Sequence, residues 1–586
     1  MTNPYNNSDL ETKLISNLSR NRLPNLRQFK YLKKFLSLTE KWLLTGALLV
    51  FISSVSFLAY QFWYNHLVIS PKHGGQYTEA TLSAPSHINP LFFGLNNTDD
   101  DLVNLVFSSL WKHDDQGSLQ ADLVEKFVVS SDQKSYTITI IDKARWHSGE
   151  KLTTDDIIFT INTIKDARFK SPWRRYFIGV EAEKISDTEF KLSLKEPYSL
   201  FLEHLTFGIL PQKIWQDISP DNVNLAELNI KPVGSGPFKF KSLTKDKSGA
   251  IKSYTLIANS NYHHQKAYLN EFSFKIFSNP EEIIIALNNN TIDGVNYLPS
   301  EYHKEVIAAS AYNFHQLQQP KSLNIFFNLK SGTIISNAKL RQALNLALDK
   351  EAIIKKVYGP DASVADSPIA KFSFGYQASR DNSFNLDKAK ELLATDNWKE
   401  VTNSSSSTPI LQKNNQSLKL SLSVSNNASD LAIAELIASS WAKIGAQTEI
   451  ISENSNFFNQ VIKPKNYSIL LYSTFNSINS DPYPFWHSSQ IDDKGYNLSN
   501  YSNTKVDKLL EEARLDSNTS KRLNNYLEFQ KIINTDNPAI FLANQNFVYI
   551  QTKKIKGFQT KTINTSADRL TNVTNWYLNE KKSLKL

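Results

Sequence analysis

The sequence SYTITIIDKARWHSGEKLTTDDIIFTINTI, residues 135–164, contains the pattern that decides the fold. In its first part Tyr136, Ile138 and Ile140 alternate with polar residues, which is typical of a strand with one buried face. A basic turn follows, and Thr153 then precedes two aspartates, as at the N-terminus of a helix. Isoleucines recur at helical spacing after these aspartates. The stretch therefore predicts a strand, a tight turn and a capped helix.

The part KARWHSGEKLTTDDIIFT, residues 143–160, resembles the signature of family 5 extracytoplasmic solute-binding proteins, the receptors of peptide and nickel ABC importers. Other segments resemble the same family in the same order along the chain. They are residues 89–91 (NPL), 232–238 (PVGSGPF), 290–294 (NTIDG), 339–359 (KLRQALNLALDKEAIIKKVYG) and 428–445. The resemblance covers roughly residues 73–580, so it is more specific than any single motif.

The resemblance implies an α/β fold with two lobes that close on a ligand, of the type II or cluster C periplasmic-binding-protein kind. Strand and helix patterns alternate along the chain, as an α/β architecture requires. A chain of 586 residues is also too long for a single core. We expect lobe I, with an inserted subdomain, at residues 73–277 and 549–586, and lobe II at residues 278–548.

Composition restricts the possible functions. The chain has no cysteine, which excludes disulfides, thiolate nucleophiles, cysteine metal sites and a lipid-bearing cysteine. Residues 1–41 contain eight basic and three acidic residues, so more than half of the net charge of +8 lies there. A nucleic-acid binder would carry its basic residues on the folded domain. Nucleic acid is therefore not an expected partner.

Residues 42–64, WLLTGALLVFISSVSFLAYQFWY, contain no charge and are long enough to cross a membrane as a helix. Trp42 lies at one end and Trp63 and Tyr64 at the other, as in an interfacial aromatic belt. The positive-inside rule places the basic tail, residues 1–41, in the cytoplasm and the large domain outside, after a short tether at 65–72. A cleaved signal peptide is the alternative, but no A-x-A-like site follows. We expect a single-pass anchor in the cell membrane.

In the peptide receptors of the family, an extended ligand makes strand-like hydrogen bonds and a carboxylate pairs with its α-amino group. The matching stretch here is LLYSTFNSINSDPYPFW, residues 470–486. Alignment on Asp481-Pro482 puts Phe475 at the position of the pocket tryptophan and Ile478 at that of the amine-binding aspartate. Isoleucine cannot pair with an ammonium group, so recognition of a free peptide N-terminus is in question. The expected ligand-side residues are Phe93, Asn96, Asn97, Tyr472, Phe475, Ile478 and Asp481.

The pair His263-His264 invites a metal interpretation. Adjacent residues on a strand point to opposite faces, so we predict a surface turn there and no metal site. The sequence contains neither a G-x-S-x-G elbow nor an H-E-x-x-H motif. We therefore expect no catalytic residue, no cofactor and no enzymatic activity, and we expect His147 to hold its turn.

The resemblance implies a membrane-anchored receptor that captures peptides or related solutes outside the cell for an ABC importer. Its expected partners are the permease subunits and, through the N-terminal helix, the membrane, with a monomeric outer domain. One alternative is a surface sensor or chaperone that is not coupled to transport. The other is an extracytoplasmic hydrolase, for which His147 with Asp155 and Asp156 is the acid–base grouping.

Overall fold

The computed structural model describes residues 36–65, 67–94, 96–330, 333–379, 383–401, 410–453, 456–492 and 495–584. The helices are α1 (Leu38–Asn65), α2 (Asn97–Val106), α3 (Thr154–Lys165), α4 (Arg174–Phe177), α5 (Gln212–Trp215), α6 (Pro280–Asn288), α7 (Ala338–Leu346), α8 (Lys350–Val357), α9 (Leu386–Thr395), α10 (Ala428–Ala442), α11 (Tyr483–Trp486), α12 (Thr504–Leu515) and α13 (Thr519–Asp536).

The strands are β1 (Leu67–Lys72), β2 (Gln76–Thr81), β3 (Trp111–His113), β4 (Leu119–Ala121), β5 (Val124–Val129), β6 (Ser135–Ile140), β7 (Glu181–Lys184), β8 (Glu189–Ser193), β9 (Phe238–Lys245), β10 (Ile251–Ala258), β11 (Glu271–Ile276), β12 (Gly294–Val295), β13 (Tyr312–Phe327), β14 (Ala362–Val364), β15 (Lys399–Val401), β16 (Ile410–Lys413), β17 (Gln416–Ser417), β18 (Lys419–Ser425), β19 (Gln447–Glu453), β20 (Ile469–Phe475), β21 (Ala539–Thr552) and β22 (Asn579–Leu584).

The chain divides into two compact units, and the smaller one holds the N-terminal helix. Helix α1 is 28 residues long and apolar enough to cross a membrane, and it contains the run predicted at residues 42–64. The basic tail predicted at residues 1–41 lies outside the described residues up to residue 35. The segment predicted as a tether includes β1, which pairs with β22 in a two-stranded sheet.

The larger unit, residues 72–579, is built on one mixed sheet. Within the described residues this sheet has 11 strands, ordered β19-β18-β20-β13-β21-β12-β2-β11-β10-β9, with β14 added to β21. Strand β2 is parallel to β11 and β12, and β18 is parallel to β19 and β20. The two longest strands, β13 and β21, are antiparallel neighbours at its centre.

Apolar residues form separate cores along this sheet. The first core contains Tyr77, Phe272 and Trp576, and a smaller cluster beside β2 contains Ala80 and Ile283. Two further clusters lie around the other half of the sheet. The second core includes Leu323, Leu344, Trp441 and Ile540, and the third cluster includes Phe326, Trp486, Tyr526 and Phe541. The α/β architecture predicted from the sequence is confirmed.

The stretch at 135–164 folds as predicted. Tyr136, Ile138 and Ile140 of β6 are buried, because β6 lies between β5 and β8 in a four-stranded sheet that belongs to the first core. At the start of α3 the Thr153 backbone N–H donates to the Asp156 carboxylate over 2.9 Å, which stabilises the helix terminus.

His147 holds its turn to a neighbouring loop, as predicted. Its backbone N–H donates to the Gly234 carbonyl over 2.7 Å, and its Nε2 lies 3.2 Å from the Gly236 carbonyl. Burial lowers the pKa of His147 to about 4, so the ring is neutral at physiological pH. The residue therefore serves as scaffold.

The predicted lobe boundary near residue 278 stays a prediction. Helix α6 and strand β12 follow that boundary, yet Ile283 and Val295 pack with Ala80 of β2 in one apolar cluster. Strand β12 also pairs with β2. The segment from α6 to β12 therefore shares a core with a strand that we assigned to lobe I.

Candidate ligand-binding site

A cavity of about 1070 Å³ lies between the first core and the clusters around β20. Its walls come from chain segments that are far apart in the sequence. They include residues within 90–113, 173–176, 198–208, 262–265, 472–485 and 564–574, together with Asp122 and Arg514. The cavity is thus lined jointly by side chains of both halves of the sheet.

Four of the seven predicted ligand-side residues line this cavity. They are Phe93, Tyr472, Phe475 and Asp481. Asn96 instead caps α2, because its side-chain oxygen accepts from the Thr98 N–H over 2.9 Å and its Nδ2 donates to the Ala84 carbonyl over 2.8 Å. Asn97, the first residue of α2, is exposed. Of the described residues of loop 93–97, Phe93 is thus the one that contributes to the cavity wall.

Ile478 is buried and its side chain packs away from the cavity, against the turn at Gly117. Its backbone N–H donates to Asn564 Oδ1 over 2.8 Å, and its carbonyl accepts from the Phe374 N–H over 2.9 Å. Gly117 has φ +80°, and a Cβ there would collide with the Ile478 terminal methyl group. Ile478, at the position that corresponds to the amine-binding aspartate, thus makes an apolar contact with the turn at Gly117.

Asp481 is held by Arg514 in a bidentate ion pair. The guanidinium donates to the two carboxylate oxygens over 3.1 and 2.6 Å and lies 3.8 Å from the centre of the Tyr483 ring. The Tyr198 hydroxyl donates to Asp481 over 3.3 Å, and the Ser199 N–H donates to the Arg514 carbonyl over 2.7 Å. Asp481 therefore joins the first core to the third cluster, and its charge is already paired.

Two further carboxylates lie beside the Ile478 segment, and the sequence analysis missed both. Glu203 accepts from the Asn479 side chain, and its other oxygen lies 3.0 Å from His113 Nε2. Asp568 accepts from the Asn564 N–H over 2.8 Å and lies 4.0 Å from His113 Nδ1. Burial opposes protonation of His113, but the Glu203 hydrogen bond and the Asp568 charge outweigh burial and raise the pKa of His113. The His113 imidazole is thus shared by two carboxylates.

Asp100 is a third carboxylate at the cavity wall. Its Oδ1 accepts from the Gly94 N–H over 2.9 Å. Burial raises the pKa of Asp100 to about 7, helped by the charges of its acidic neighbours and opposed by the Gly94 bond. A proton or a cationic ligand group would relieve the cost of that buried charge.

A turn is present at His263-His264, as predicted, but His263 is buried rather than on the surface. That no metal binds there stays a prediction. These residues lie in a turn rather than a strand, so the alternation of side chains does not apply. His263 is 3% exposed, and both Nε2 atoms face Asp122 Oδ1, at 3.7 Å from His263 and 3.1 Å from His264. Burial lowers the pKa of His263.

A mixed sheet with apolar cores on either side of a ligand-sized cavity defines a two-lobed solute-binding protein. The family model "Bacterial extracellular solute-binding proteins, family 5 Middle" matches residues 118–497, and the chain belongs to this family. The family consists of binding proteins.

Similar proteins include the oligopeptide-binding protein AppA of Bacillus subtilis, 28% identical over 507 residues, which span 83% of this chain and 90% of AppA. The dipeptide-binding protein of Escherichia coli is 23% identical over 74% of this chain and 83% of its own length. Among solved structures, AppA of B. subtilis with a nonapeptide gives a TM-score of 0.68 at 25% identity, covering 87% of this chain and 100% of AppA. NikZ of Campylobacter jejuni with Ni(L-His) gives 0.70 at 25% identity, covering 86% and 99%.

Proposed function

We propose that this protein captures peptides or related solutes in its cavity and delivers them to the permease of an ABC importer. The observation that carries the proposal is the cavity of about 1070 Å³ between two halves of one sheet, with Phe93, Tyr472 and Phe475 in its walls. Aromatic walls suit a ligand whose side chains vary. The similarity to AppA, whose structure holds a nonapeptide, supports a peptide as the ligand.

The edge of β20 offers backbone groups to such a ligand. On one side β20 pairs with β13 along its whole length, from Ile469 to Phe475. On the other side β18 pairs only with Ile469 and Leu470, so the edge from Tyr472 to Phe475 has no strand partner among the described residues. An extended peptide would add to this edge as a further strand, with affinity from main-chain hydrogen bonds.

We propose that Glu203 and Asp568, rather than residue 478, receive a cationic group of the ligand. Within the described residues neither carboxylate forms an ion pair with a lysine or an arginine. Of the cavity cations, Lys112 and Arg514 are paired with other carboxylates, and Arg175 donates to the Tyr176 hydroxyl over 2.6 Å. A ligand ammonium would compensate the excess negative charge around His113 through charge-assisted hydrogen bonds.

The test is isothermal titration of the purified full-length chain with pairs of peptides that differ only in N-terminal acetylation. We expect Glu203→Gln to weaken binding of the free-amine peptide about 10- to 100-fold and to leave the acetylated peptide unchanged. Glu227→Gln, which alters an exposed glutamate on a surface ion pair, is the matched control.

Equal affinity for both peptide forms would contradict the proposed amine-binding role of Glu203 and Asp568. It would leave the proposal of a peptide receptor intact. Binding of no peptide, together with binding of another solute, would overturn the peptide assignment. Association of the chain with permease subunits in membranes tests delivery, and its absence would favour a sensor or chaperone.

We also propose that α1 is retained as a single-pass anchor with the N-terminus in the cytoplasm. Its length and its uninterrupted apolar surface support this topology, together with the basic residues that precede it. Mass spectrometry of the membrane-bound protein should find peptides from residues 1–41. Their absence would instead indicate a cleaved signal sequence.

For the lobes we propose a division across β13 and β21 rather than near residue 278. The pairing of these strands is irregular between Gln318 and Ser322. Before this point β13 contributes Leu317 to the first core, and after it β13 contributes Leu323 to the second. Structures with and without ligand should show rotation about this irregularity.

A further inference from the structure

A cluster of metal-type donors lies at the cavity wall, apart from Glu203 and Asp568. It consists of Asp122, which follows β4, and His263 and His264, which lie in the turn between β10 and β11. One donor atom from each residue lies within 4.8 Å of the other two. The Asp122 carboxylate is oriented by the Ser109 N–H, which donates to its Oδ2 over 3.1 Å and leaves Oδ1 towards the imidazoles.

His263 lacks the hydrogen bonds that a buried imidazole normally has. Its ring nitrogens are buried, and neither forms a hydrogen bond with a described residue. The 3.7 Å from its Nε2 to Asp122 Oδ1 is too long for a hydrogen bond. Buried polar atoms are nearly always paired, so this ring is available to a further partner.

We propose that Asp122, His263 and His264 form a binding site for a first-row transition-metal ion such as Zn²⁺. Two imidazoles and one carboxylate are a donor set that zinc uses when it keeps a further position open. Donors of a tetrahedral zinc site are about 3.3 Å apart, since each lies about 2.0–2.1 Å from the ion. The distances of 3.1 and 3.7 Å from Asp122 Oδ1 to the two Nε2 atoms are close to that value.

Lys112 is the competing cation at this site. His264 Nε2 lies 2.9 Å from the Asp122 carbonyl, a hydrogen bond that an ion would replace. The Lys112 Nζ lies 3.1 Å from Asp122 Oδ1 and neutralises the carboxylate. Its side chain is 28% exposed and lines the cavity, so the flexible lysine can turn aside when an ion binds. The affinity for metal should therefore be limited by Lys112.

The cluster also faces the ligand cavity. Asp122 and His264 contribute to the cavity wall, as do the neighbouring Tyr262 and Gln265. A metal ion bound here would direct its open position towards the cavity. The inference goes beyond the proposed function, because it holds whichever solute the cavity binds.

The test is titration of the full-length chain with Zn²⁺ against a chromophoric chelator. We expect one ion per wild-type chain, and at least about tenfold tighter binding by Lys112→Met, because a like charge is removed from beside the ion. Lys213→Met, which removes an exposed lysine that also pairs with a carboxylate, should bind as the wild type does.

His264→Ala should abolish stoichiometric binding. Because the His264 side chain is partly exposed, this variant should fold as the wild type does. Co²⁺ in place of Zn²⁺ should give the visible absorption of a low-symmetry nitrogen–oxygen site, and His263→Gln should change that spectrum. The proposal is overturned if the wild type binds no Zn²⁺, if Lys112→Met binds no more tightly, or if His264→Ala still binds one ion.

Discussion

Asp100 and Asp101 are adjacent in α2, yet they lie in opposite electrostatic surroundings. Asp101 binds Arg569 through both carboxylate oxygens, over 2.5 and 2.7 Å, and Arg569 also binds Glu79. All three side chains are fully buried in the first core. Asp100 lines the cavity, where the Gly94 N–H is its hydrogen-bond donor among the described residues. Buried charge is thus compensated at Asp101 in the core, whereas Asp100, at the cavity wall, has no counter-charge among the described ion pairs.

The largest effect should come from breaking the buried triad. Arg569→Met leaves Glu79 and Asp101 without a counter-charge, so we expect the free energy of unfolding to fall by about 3–5 kcal/mol. Urea denaturation of the full-length chain in detergent measures it. Arg168→Met, at an exposed pair with Asp166, should cost less than about 1 kcal/mol, and an equal loss in both variants would remove the contrast.

Asp100 should make stability depend on pH. In the folded state the pKa of Asp100 is raised from 3.8 to about 7. The contribution of this residue to the free energy of unfolding is therefore fully present below pH 4 and is lost as pH rises through 7. Asp100→Asn keeps an acceptor for Gly94 and should be more stable than the wild type by roughly 2–4 kcal/mol at pH 8, with little difference at pH 4. Denaturation at several pH values measures this, and a pH-independent difference would contradict it.

Arg514 should affect closure more than folding. Arg514→Met breaks the partly exposed ion pair with Asp481 that joins the two sides of the cavity. We expect ligand affinity to fall about tenfold, equivalent to about 1.4 kcal/mol, and the radius of gyration in small-angle scattering to rise. The melting temperature should hardly change. Lys521→Met, at a surface ion pair with Asp516, is the control, and a large fall in melting temperature for Arg514→Met would show that the pair belongs to the fold.

The smallest effect concerns the apolar contact at Ile478. Gly117→Ala places a Cβ at φ +80° against the Ile478 terminal methyl group, so we expect a loss of about 1–2 kcal/mol in stability. Ile478→Val removes that methyl group and should recover part of the loss in the double variant. Purely additive effects in a double-mutant cycle would show that the two residues are not coupled.

Local structure was predictable from the sequence because its signals are local. Tyr136, Ile138 and Ile140 identify β6 by their period, and Thr153 with Asp156 identifies the start of α3. The family resemblance predicted Phe475 as a ligand-side residue, and Phe475 lines the cavity.

The rest of the site depends on residues that meet only in three dimensions. Glu203 lies 90 positions from His113, and no spacing rule connects them or either one to Asp568. The burial of His263 was missed because the alternation rule was applied to a segment that forms no strand.

The hydrogen bonds of the first core also determine the order in which the protein can fold. Tyr77 binds Tyr549 across 472 positions, and Glu79 binds Arg569 across 490. The second core, by contrast, draws its residues from between Leu323 and Ala543. The chain must close these long loops before such distant contacts can form. The first core therefore cannot be completed until the last part of the chain is available. In a polypeptide that emerges N-terminus first, Tyr77 and Glu79 therefore stay without these partners until Tyr549 and Arg569 have emerged.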